Sequence, residues 1–276
     1  MEIKAPAKIN IGLNILSKRA DGYHNLSTIF YPINDLFDLL IFTSNSNFEF
    51  NTNDSSIPND CSNLVVQAKN LLEEVTNKKI NVKIELQKNI PSQAGLGGGS
   101  SDAAATLVTL NHLFHLKLTP MELRELALQI GSDVPFFINP TPAIGTSRGE
   151  ILEPIDFKID LPILIVTPKI NISTKEAFAK IIPNNVIVNY ITALKDGNLD
   201  FTYVKENFIN DFEEYVFNLY PQIAEIKKRM YKYGAVFASL TGSGSSIYGI
   251  FTEVKIASEL TKEFKNHFCF LSTHRH

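Results

Sequence analysis

The sequence predicts an α+β fold in two halves, and three observations support that prediction. Residues 8–16 alternate between apolar and polar side chains, as a half-buried strand does. Other segments carry apolar residues at helical spacing, and they are interleaved with further strand-like segments along the chain. Glu153-Pro154 separates two such series, so we expect a boundary near residues 154–160.

The first half is expected to begin with the strand 8–16, which has two distinct faces. Its apolar face, directed to the core, consists of Ile9, Ile11, Leu13 and Ile15. The opposite face consists of Lys8, Asn10, Gly12 and Asn14. Further strands are expected twice within residues 38–51, at residues 80–86, and directly after Asp133. Helices are expected from about Ser62, from Ser100 to Phe114, and from a capping box at Thr119 to near Gly131.

The second half is expected to contain four strands and five helices. The strands are predicted at Leu161–Thr167, Ala235–Leu240, Ser246–Phe251 and Phe268–Leu271. The helices are predicted from Ser173, at Asn185–Leu194, Lys205–Phe217 and Pro221–Tyr233, and from Glu253 to Lys265. A glycine–serine turn, Thr241–Ser245, joins two of the strands. By itself this turn is equally consistent with a plain hairpin.

Composition narrows the class of protein. The chain has 276 residues, of which 44% are hydrophobic and 20% charged, typical of a globular protein. The net charge of −3 disfavours nucleic-acid binding, which requires a dense basic surface. Neither a signal peptide nor a membrane-spanning run is recognisable, so we expect no membrane association. Cys61 and Cys269 are expected to be reduced thiols of a cytoplasmic protein.

The clearest functional motif is the glycine–serine segment Pro91–Asp102, which follows a strand and precedes a helix. Its glycines allow another group to approach the backbone closely. Successive N–H groups and the following helix N-terminus would then form a cradle for phosphate. Ser100 and Ser101 add hydroxyl groups that can bind phosphate or a magnesium ion. A flexible linker is the alternative interpretation. The segment lacks the Gly-Lys-Ser/Thr of a Walker A loop and the third glycine of a dinucleotide fingerprint.

Two charged residues could supply the chemistry of phosphoryl transfer. Asp133 lies between a helix end and an apolar segment, where its carboxylate could accept a proton from a hydroxyl group. Lys8 could neutralise the transferred phosphoryl group and keep that aspartate ionised. On position alone, Asp133 is more typical of a helix-terminus or turn residue and Lys8 of a solvated strand residue, so neither role stands without further support.

Three segments together resemble the GHMP kinase superfamily: Pro91–Ser101, Gly131-Ser-Asp133 and Thr241–Ser245. Ala7–Leu13 followed by Arg19-Ala-Asp-Gly-Tyr-His24 resembles, more narrowly, those members that phosphorylate a methylerythritol alcohol carrying cytidine diphosphate. These members act in non-mevalonate isoprenoid biosynthesis. The resemblance extends from about residue 3 to about residue 270.

The resemblance implies a ribosomal S5 domain 2-like N-terminal domain at residues 1–155 and a ferredoxin-like C-terminal domain at residues 156–276, with the active site in the cleft between them. It implies that Lys8 and Asp133 are catalytic and that ATP and Mg²⁺ are used. The implied ATP-binding residues are Pro91, Ser92, Gln93, Ala94, Gly95, Leu96, Gly97, Gly98, Gly99, Ser100, Ser101 and, more weakly, Asn63. The implied substrate-binding residues are Asn10, Tyr23, His24, Thr174, Phe178 and Gly242, with Tyr23 and Phe178 enclosing the cytosine.

The chain departs from the family pattern at Ser132, Asp102 and Thr146-Ser147. A carboxylate at position 102, where asparagine is common, is unexpected beside a triphosphate unless it points away or shares a magnesium ion. Other interpretations remain open: a homoserine, mevalonate or sugar kinase, or a non-catalytic nucleotide-binding module. An RNA-binding relative of the S5-like domain is disfavoured by the net charge of −3 and the lack of a basic stripe. We expect no dedicated protein cage for a metal, and a monomer or weak homodimer. His274 and His276 are expected to lie in a frayed tail.

Overall fold

The computed structural model describes residues 1–273, which form two compact units that are each assembled from several chain segments. Unit 1 contains residues 1–7, 36–92 and 97–140. Unit 2 contains residues 8–35, 93–96 and the chain from residue 141 onwards. The glycine loop therefore contributes to both units. The division at residue 155 stays a prediction, and His274 and His276 lie outside the described residues.

The strands within residues 1–273 are β1 (Glu2–Lys18), β2 (His24–Ser44), β3 (Glu49–Thr52), β4 (Val82–Gln87), β5 (Ala143–Ser147), β6 (Ile151–Pro154), β7 (Ile163–Thr167), β8 (Leu194–Lys195), β9 (Asn198–Leu199), β10 (Phe237–Leu240), β11 (Ile247–Ile250) and β12 (Phe268–Ser272). The helices are α1 (Leu64–Thr76), α2 (Gly98–Leu113), α3 (Pro120–Ile130), α4 (Val134–Phe137), α5 (Thr174–Lys180), α6 (Phe201–Asn207), α7 (Phe212–Leu219), α8 (Pro221–Lys232) and α9 (Val254–Thr261). Tyr190–Ala193 and Lys262–Phe264 form short 3-10 helices.

Unit 1 combines a sheet with helices α1 to α4. In this unit the C-terminal part of β2 pairs antiparallel with β4, with Leu39 opposite Gln87, and β3 runs parallel to β4 on its other side. Helices α1 and α2 pack together, and α4 contacts both α2 and α3. The buried apolar side chains of this pair provide a hydrophobic base for the segment that follows β4; they are Leu36, Leu40 and Phe42 on β2 and Val82, Ile84 and Leu86 on β4.

Helix termini in unit 1 are formed in two different ways. The predicted capping box of α3 is present, because Thr119 accepts a hydrogen bond from the N–H of Glu122 and its own N–H donates to the Glu122 carboxylate. Helix α2 instead begins after Gly97, which has a φ of 74° and no side chain with which to cap the helix. The first N–H groups of α2 therefore point out of the helix without a capping side chain.

Unit 2 contains an antiparallel ladder and a second sheet. The N-terminal part of β2 pairs with β5, and β5 pairs with β6. The second sheet is antiparallel throughout, with the strand order β10–β11–β7–β12. Side chains from α5, α7, α8 and α9 pack with this sheet in one buried apolar cluster, whose largest members include Phe212, Ile223, Met230, Leu240, Phe251 and Leu260.

Most of the predicted elements are confirmed, but strand β1 is more deeply buried than the predicted half-buried strand. The predicted alternation suits a half-buried strand, yet residues from both faces are buried. Lys8 and Asn10 are each 2% exposed and Asn14 is fully buried. Polar groups are buried in folded proteins when they are hydrogen-bonded. The polar face of β1 is therefore an internal polar surface, and not a solvent-facing one.

Two of the predicted helices are wrong. Of Asn185–Leu194, only Tyr190–Ala193 is helical, as a 3-10 turn. Asn185 has a φ of 56°, and three β-branched residues follow it, so an α-helix does not form there. The predicted helix Lys205–Phe217 is divided into α6 and α7, because Ile209 and Asp211 form backbone hydrogen bonds with Leu13 of β1. Those backbone groups are consequently not available to a helix.

Two further differences concern short elements. The strand expected after Asp133 is the one-turn helix α4, and its Pro135 occupies a position where proline suits the first turn of a helix. The hairpin β5–β6 and the first half of β2 were not predicted. In the first half of β2 nearly all side chains are buried, so the two-residue period that identifies a strand is weak.

Candidate active site

The glycine loop connects β4 to α2, and its backbone is consistent with an anion cradle. Gln93, Gly95 and Gly97 all have positive φ angles, of 54°, 77° and 74°. Such angles bring successive N–H groups toward a common side. Because no side chain caps α2, the N–H groups of its first turn are suited to bind an anion.

The tip of the loop packs within unit 2. The N–H of Lys8 donates to the carbonyl oxygen of Leu96 at 2.9 Å, and the Thr241 hydroxyl donates to the carbonyl oxygen of Gly95 at 3.1 Å. The N–H of Ser246 donates to Ala94 O at 3.2 Å. The sequence-predicted loop, Lys8 and the Thr241–Ser245 turn are therefore brought together by direct contacts.

Lys8 and Asn10 are held side by side on the buried polar face of β1. Lys8 Nζ donates to Asn10 Oδ1 at 2.6 Å, and the N–H of Gly242 donates to the same oxygen at 2.9 Å. Asn10 Nδ2 donates to Thr28 Oγ1 at 3.1 Å. Asn10 thus orients both the ammonium group and the glycine turn. Its predicted contact with substrate stays a prediction.

Asn210, which sequence reasoning missed, supports the glycine turn from beneath. Its Nδ2 donates to the carbonyl oxygens of Leu240 and Gly242, each at 2.9 Å, and its side chain is buried. The pair Asn210-Asp211, whose residue types favour helix starts, lay inside the predicted helix Lys205–Phe217 and so gave no signal of this role. Thr174 also reaches this turn, because its hydroxyl lies 3.0 Å from that of Ser243.

The predicted cytosine-binding residues lie in unit 2 but pair differently from the expected sandwich. The His24 ring stacks on Phe178, with 5.4 Å between ring centroids and 29° between planes. Tyr23 is 49% exposed, and the guanidinium carbon of Arg148 lies 3.8 Å from its ring centroid. The enclosure of a base between Tyr23 and Phe178 therefore stays a prediction. Burial, helped by the charge of Lys18, lowers the pKa of His24. The neutral ring can both donate and accept hydrogen bonds.

Asp133 lies in unit 1, at the junction of α3 and α4. It occupies the residue before α4 but its side chain does not cap that helix. Its carboxylate is half-buried, whereas the following residues Val134 to Phe137 are buried against the rest of unit 1. The helix α4 also contacts α2, which begins in the glycine loop. Asp133 thus lies in a turn that leads directly into a buried anchor.

Asn63 has a structural role that the sequence did not indicate. Its Oδ1 accepts from the N–H of Val65 at 2.8 Å, which caps α1, and its Nδ2 donates to the carbonyl oxygen of Pro58 at 2.8 Å. The predicted contact with adenine stays a prediction.

The unexpected carboxylate of Asp102 faces a buried lysine. Asp102 Oδ2 lies 3.0 Å from Lys88 Nζ, and Lys88 also contacts Asp38. Burial raises the pKa of Asp102 to about 8, although the Lys88 ammonium opposes this shift and Asp38 reinforces it. Burial also works against the Lys88 charge, but the two carboxyl groups raise its pKa above the ordinary value. Asp102 therefore does not require a shared magnesium ion to explain its burial.

The donor set for a metal is limited. Among residues 1–273, no group of three His, Cys, Asp or Glu side chains could hold a metal ion. Ser101 is 1% exposed, and its hydroxyl has no hydrogen-bond partner within the described chain. A buried hydroxyl in the first turn of α2 suits a ligand that needs only one or two oxygen atoms from the protein, such as phosphate or phosphate-bound Mg²⁺.

Among residues 1–273, no helix combines the length and the apolar composition needed to cross a membrane.

Comparisons with known proteins identify the family. The model for the GHMP kinases N terminal domain matches residues 63–139, and the model for the GHMP kinases C terminal domain matches residues 198–266. A relative from Azobacteroides pseudotrichonymphae genomovar. CFP2 is 44% identical over 249 residues, covering 89% of this chain and 91% of the relative. A relative from Bacteroides thetaiotaomicron is 43% identical over 271 residues, covering 96% of each. Both are named 4-diphosphocytidyl-2-C-methyl-D-erythritol kinase.

Solved structures agree with this assignment. A crystal structure of 4-(cytidine 5'-diphospho)-2C-methyl-D-erythritol kinase matches with a TM-score of 0.82 and 30% identity over 98% of each chain. A homoserine kinase from Cytophaga hutchinsonii matches with a TM-score of 0.76 at 19% identity, covering 100% of this chain and 95% of that one, which supports the fold alone. The predicted α+β class is confirmed. By its sequence and by its fold, the chain belongs to the GHMP kinases, a family of ATP-dependent phosphotransferases.

Proposed function

We propose that this enzyme transfers the γ-phosphoryl group of ATP to the 2-hydroxyl of 4-diphosphocytidyl-2-C-methyl-D-erythritol, giving the 2-phosphate and ADP in non-mevalonate isoprenoid biosynthesis. The observation that carries the proposal is the high identity, over nearly the whole chain, to relatives that bear this kinase name. The buried Lys8 beside the glycine loop supports it physically, since phosphoryl transfer needs a positive charge at the phosphate.

Asp133 is proposed to accept the proton of the acceptor hydroxyl. The hydroxyl oxygen forms a bond to the γ-phosphorus while the bond from that phosphorus to the ADP oxygen breaks, and the proton passes to the carboxylate. A base held by the buried helix α4 can be oriented toward the hydroxyl without a large entropic cost.

Lys8 is proposed to stabilise the negative charge that develops on the transferred phosphoryl group. Its ammonium is nearly inaccessible to bulk water, and electrostatic interactions are stronger in such a site. Asn10 fixes the ammonium at 2.6 Å, so little reorganisation is needed when charge develops.

The glycine loop, Pro91 to Ser101, is proposed to bind the phosphates of ATP with the backbone N–H groups of the residues that follow Pro91. Ser101 is the residue proposed to hold Mg²⁺, together with phosphate oxygens. When bound, Mg²⁺ would neutralise charge on the β- and γ-phosphates. The proposal for Asn63 is a contact near the adenine, made by the start of α1.

The cytidine group is proposed to bind beside the stacked rings of His24 and Phe178, with Tyr23 as a further aromatic contact. Aromatic rings favour stacking with a flat base, and a neutral His24 can recognise the hydrogen-bonding edge of cytosine. Thr174 and Gly242 are proposed to contact the same substrate. We also propose a cytoplasmic enzyme that is a monomer or weak homodimer, consistent with the two free cysteines Cys61 and Cys269.

An assay of ADP release tests the proposed reaction. Turnover should require both ATP and the cytidine-bearing alcohol, and mass spectrometry should show one added phosphoryl group. Homoserine and mevalonate serve as control acceptors. Turnover with either control, and none with the cytidine-bearing alcohol, would assign the enzyme to a different branch of the family.

The variant Asp133→Asn tests the proposed base. The amide has nearly the same shape but cannot accept the proton, so kcat should fall by about 10²–10⁴-fold. Binding of an ATP analogue, measured by calorimetry, should be preserved because the variant leaves the glycine loop unchanged. Normal kcat in this variant would remove Asp133 from the mechanism.

A further inference from the structure

Three ionisable side chains form a buried cluster beneath the start of α2. Lys88 Nζ lies 3.0 Å from Asp102 Oδ2 and also contacts Asp38 Oδ2. The side chains of Lys88, Asp38 and Asp102 are 6%, 0% and 3% exposed. Burial of such groups is costly, and apolar residues of similar volume often give equal or greater stability. The presence of the cluster is therefore better explained by the geometry that it imposes than by its contribution to folding.

The cluster joins three segments that surround the base of the glycine loop. Asp38, on β2, accepts hydrogen bonds with its Oδ1 from the N–H groups of Asn89 at 2.6 Å and Ile90 at 2.9 Å. These two residues connect β4 to the loop. Lys88 belongs to the same connection, and Asp102 lies on α2 one turn after its first residue. One set of ion pairs thus fixes the entry to the loop and the helix that leaves it.

Gly98, the first residue of α2, lies directly against the cluster. A Cβ added to Gly98 would be 3.1 Å from Lys88 Nζ and 3.2 Å from Asp38 Oδ2. The same Cβ would be 3.0 Å from Ile90 Cγ2, and contacts this short are tighter than most real ones, so a side chain at position 98 would displace the helix start or its neighbours. The position of the first helical turn therefore depends on where these side chains lie.

We propose that Asp38, Lys88 and Asp102 are positioning residues that hold the first turn of α2 where its N–H groups meet the phosphates of ATP. They act through the backbone of Gly98 to Ser101 and take no part in the chemistry. The inference depends on the proposed phosphate-binding role of the loop, but not on the identity of the acceptor alcohol.

The experiment compares Asp102→Leu with Asp102→Asn, two variants of nearly the same shape. Asparagine keeps an oxygen that can accept from Lys88, whereas leucine does not. We expect Asp102→Leu to raise the KM for ATP about tenfold, which corresponds to about 1.4 kcal/mol. The KM for the cytidine-bearing alcohol should change by less than about twofold, and Asp102→Asn should keep both constants near wild type.

Lys69→Met is the matched control for loss of a mostly buried ion pair elsewhere in unit 1. Lys69 pairs with Glu73 on α1 at 2.6 Å, with side chains 9% and 27% exposed. The variant Lys69→Met should lower the melting temperature without a selective change in the KM for ATP. Lys88→Met should raise the KM for ATP at least as much as Asp102→Leu does. If it does not fold, the two Asp102 variants still decide the question.

Two outcomes would overturn the inference. One is a wild-type KM for ATP in Asp102→Leu. The other is a rise in the KM for ATP that is matched by an equal rise in the KM for the cytidine-bearing alcohol, in Asp102→Leu and in Lys69→Met alike. Calorimetry with a non-hydrolysable ATP analogue separates this test from the proposed function, since it needs no acceptor. Weaker analogue binding in Asp102→Leu supports the positioning role even if the cytidine-bearing alcohol is not phosphorylated. Absence of analogue binding by the wild type would refute both proposals.

Discussion

Replacement of Gly95 by alanine should detach the tip of the glycine loop from the Thr241–Ser245 turn. Gly95 has a φ of 77°, in the left-handed region that side chains rarely adopt. A Cβ at this position would lie 2.0 Å from the carbonyl oxygen of Thr241 and 2.9 Å from its carbonyl carbon. Real Cβ atoms essentially never approach closer than 3.0 Å, so the backbone of one segment must move.

The expected loss of stability in Gly95→Ala is the sum of two separate costs. The left-handed conformation costs an alanine about 1–2 kcal/mol. Forcing extra volume into a packed region typically costs about 1–3 kcal/mol more. Gly197 isolates the first cost, because its φ is 74° and nothing lies within 4 Å of an added Cβ. We therefore expect Gly95→Ala to lower the free energy of unfolding by about 2–5 kcal/mol, against about 1–2 kcal/mol for Gly197→Ala.

Urea unfolding of the two variants measures this difference, and steady-state kinetics measures its consequence. Gly95→Ala should also raise the KM for ATP, because the displaced loop no longer presents its N–H groups correctly. Gly197→Ala should keep the wild-type kinetic constants, since Gly197 lies in the β8–β9 turn and a Cβ added there meets nothing within 4 Å. Equal losses of stability in the two variants would show that the loop tip is not packed against Thr241.

Three further predictions concern other parts of the molecule. Since the pKa of Asp102 is raised to about 8, the stability it contributes is fully present below its unfolded pKa and is lost as pH rises through about 8. Asparagine does not titrate, so the melting temperature of Asp102→Asn minus that of the wild type should increase between about pH 5 and pH 9. A difference that stays constant or falls over this range in thermal scans would contradict this. Asn210→Leu removes the donor to two buried carbonyl oxygens and should cost about 2–4 kcal/mol in urea unfolding, whereas little loss would mean that water replaces it. Phe178→Leu should raise the KM for the cytidine-bearing alcohol about tenfold but leave the KM for ATP unchanged, and equal changes in both would argue against a base-binding role.

The sequence was sufficient for the elements whose local signals agree with their surroundings. The capping box at Thr119, the strand before the glycine loop and the helix after it were all correctly predicted from neighbouring residues. These segments combine a clear period with a clear start signal. The glycine loop itself stood out because it joins a strong strand to a strong helix.

The remaining features depend on contacts between residues distant in the sequence. The break at Ile209–Asp211 follows from pairing with Leu13 on β1, almost 200 positions earlier in the chain. The partners of Asp102 are 14 and 64 residues away, so its orientation could not be read from the family departure alone. Likewise, no local pattern predicts that Arg148 covers the ring of Tyr23. Such contacts override local propensity.

The polar face of β1 shows how these long-range contacts relate to function. Lys8, Asn10 and Asn14 are buried where apolar residues would be easier to accommodate, and burying a charged or amide group without partners is costly. Asn10 offsets that cost by bonding Lys8, Thr28 and Gly242, while Tyr190 donates to Asn14. A network of this kind fixes each of its members, because a shift of one side chain leaves several others unsatisfied. The alternation that first identified β1 as a strand therefore also identifies the residues that hold Lys8 in place beside the loop.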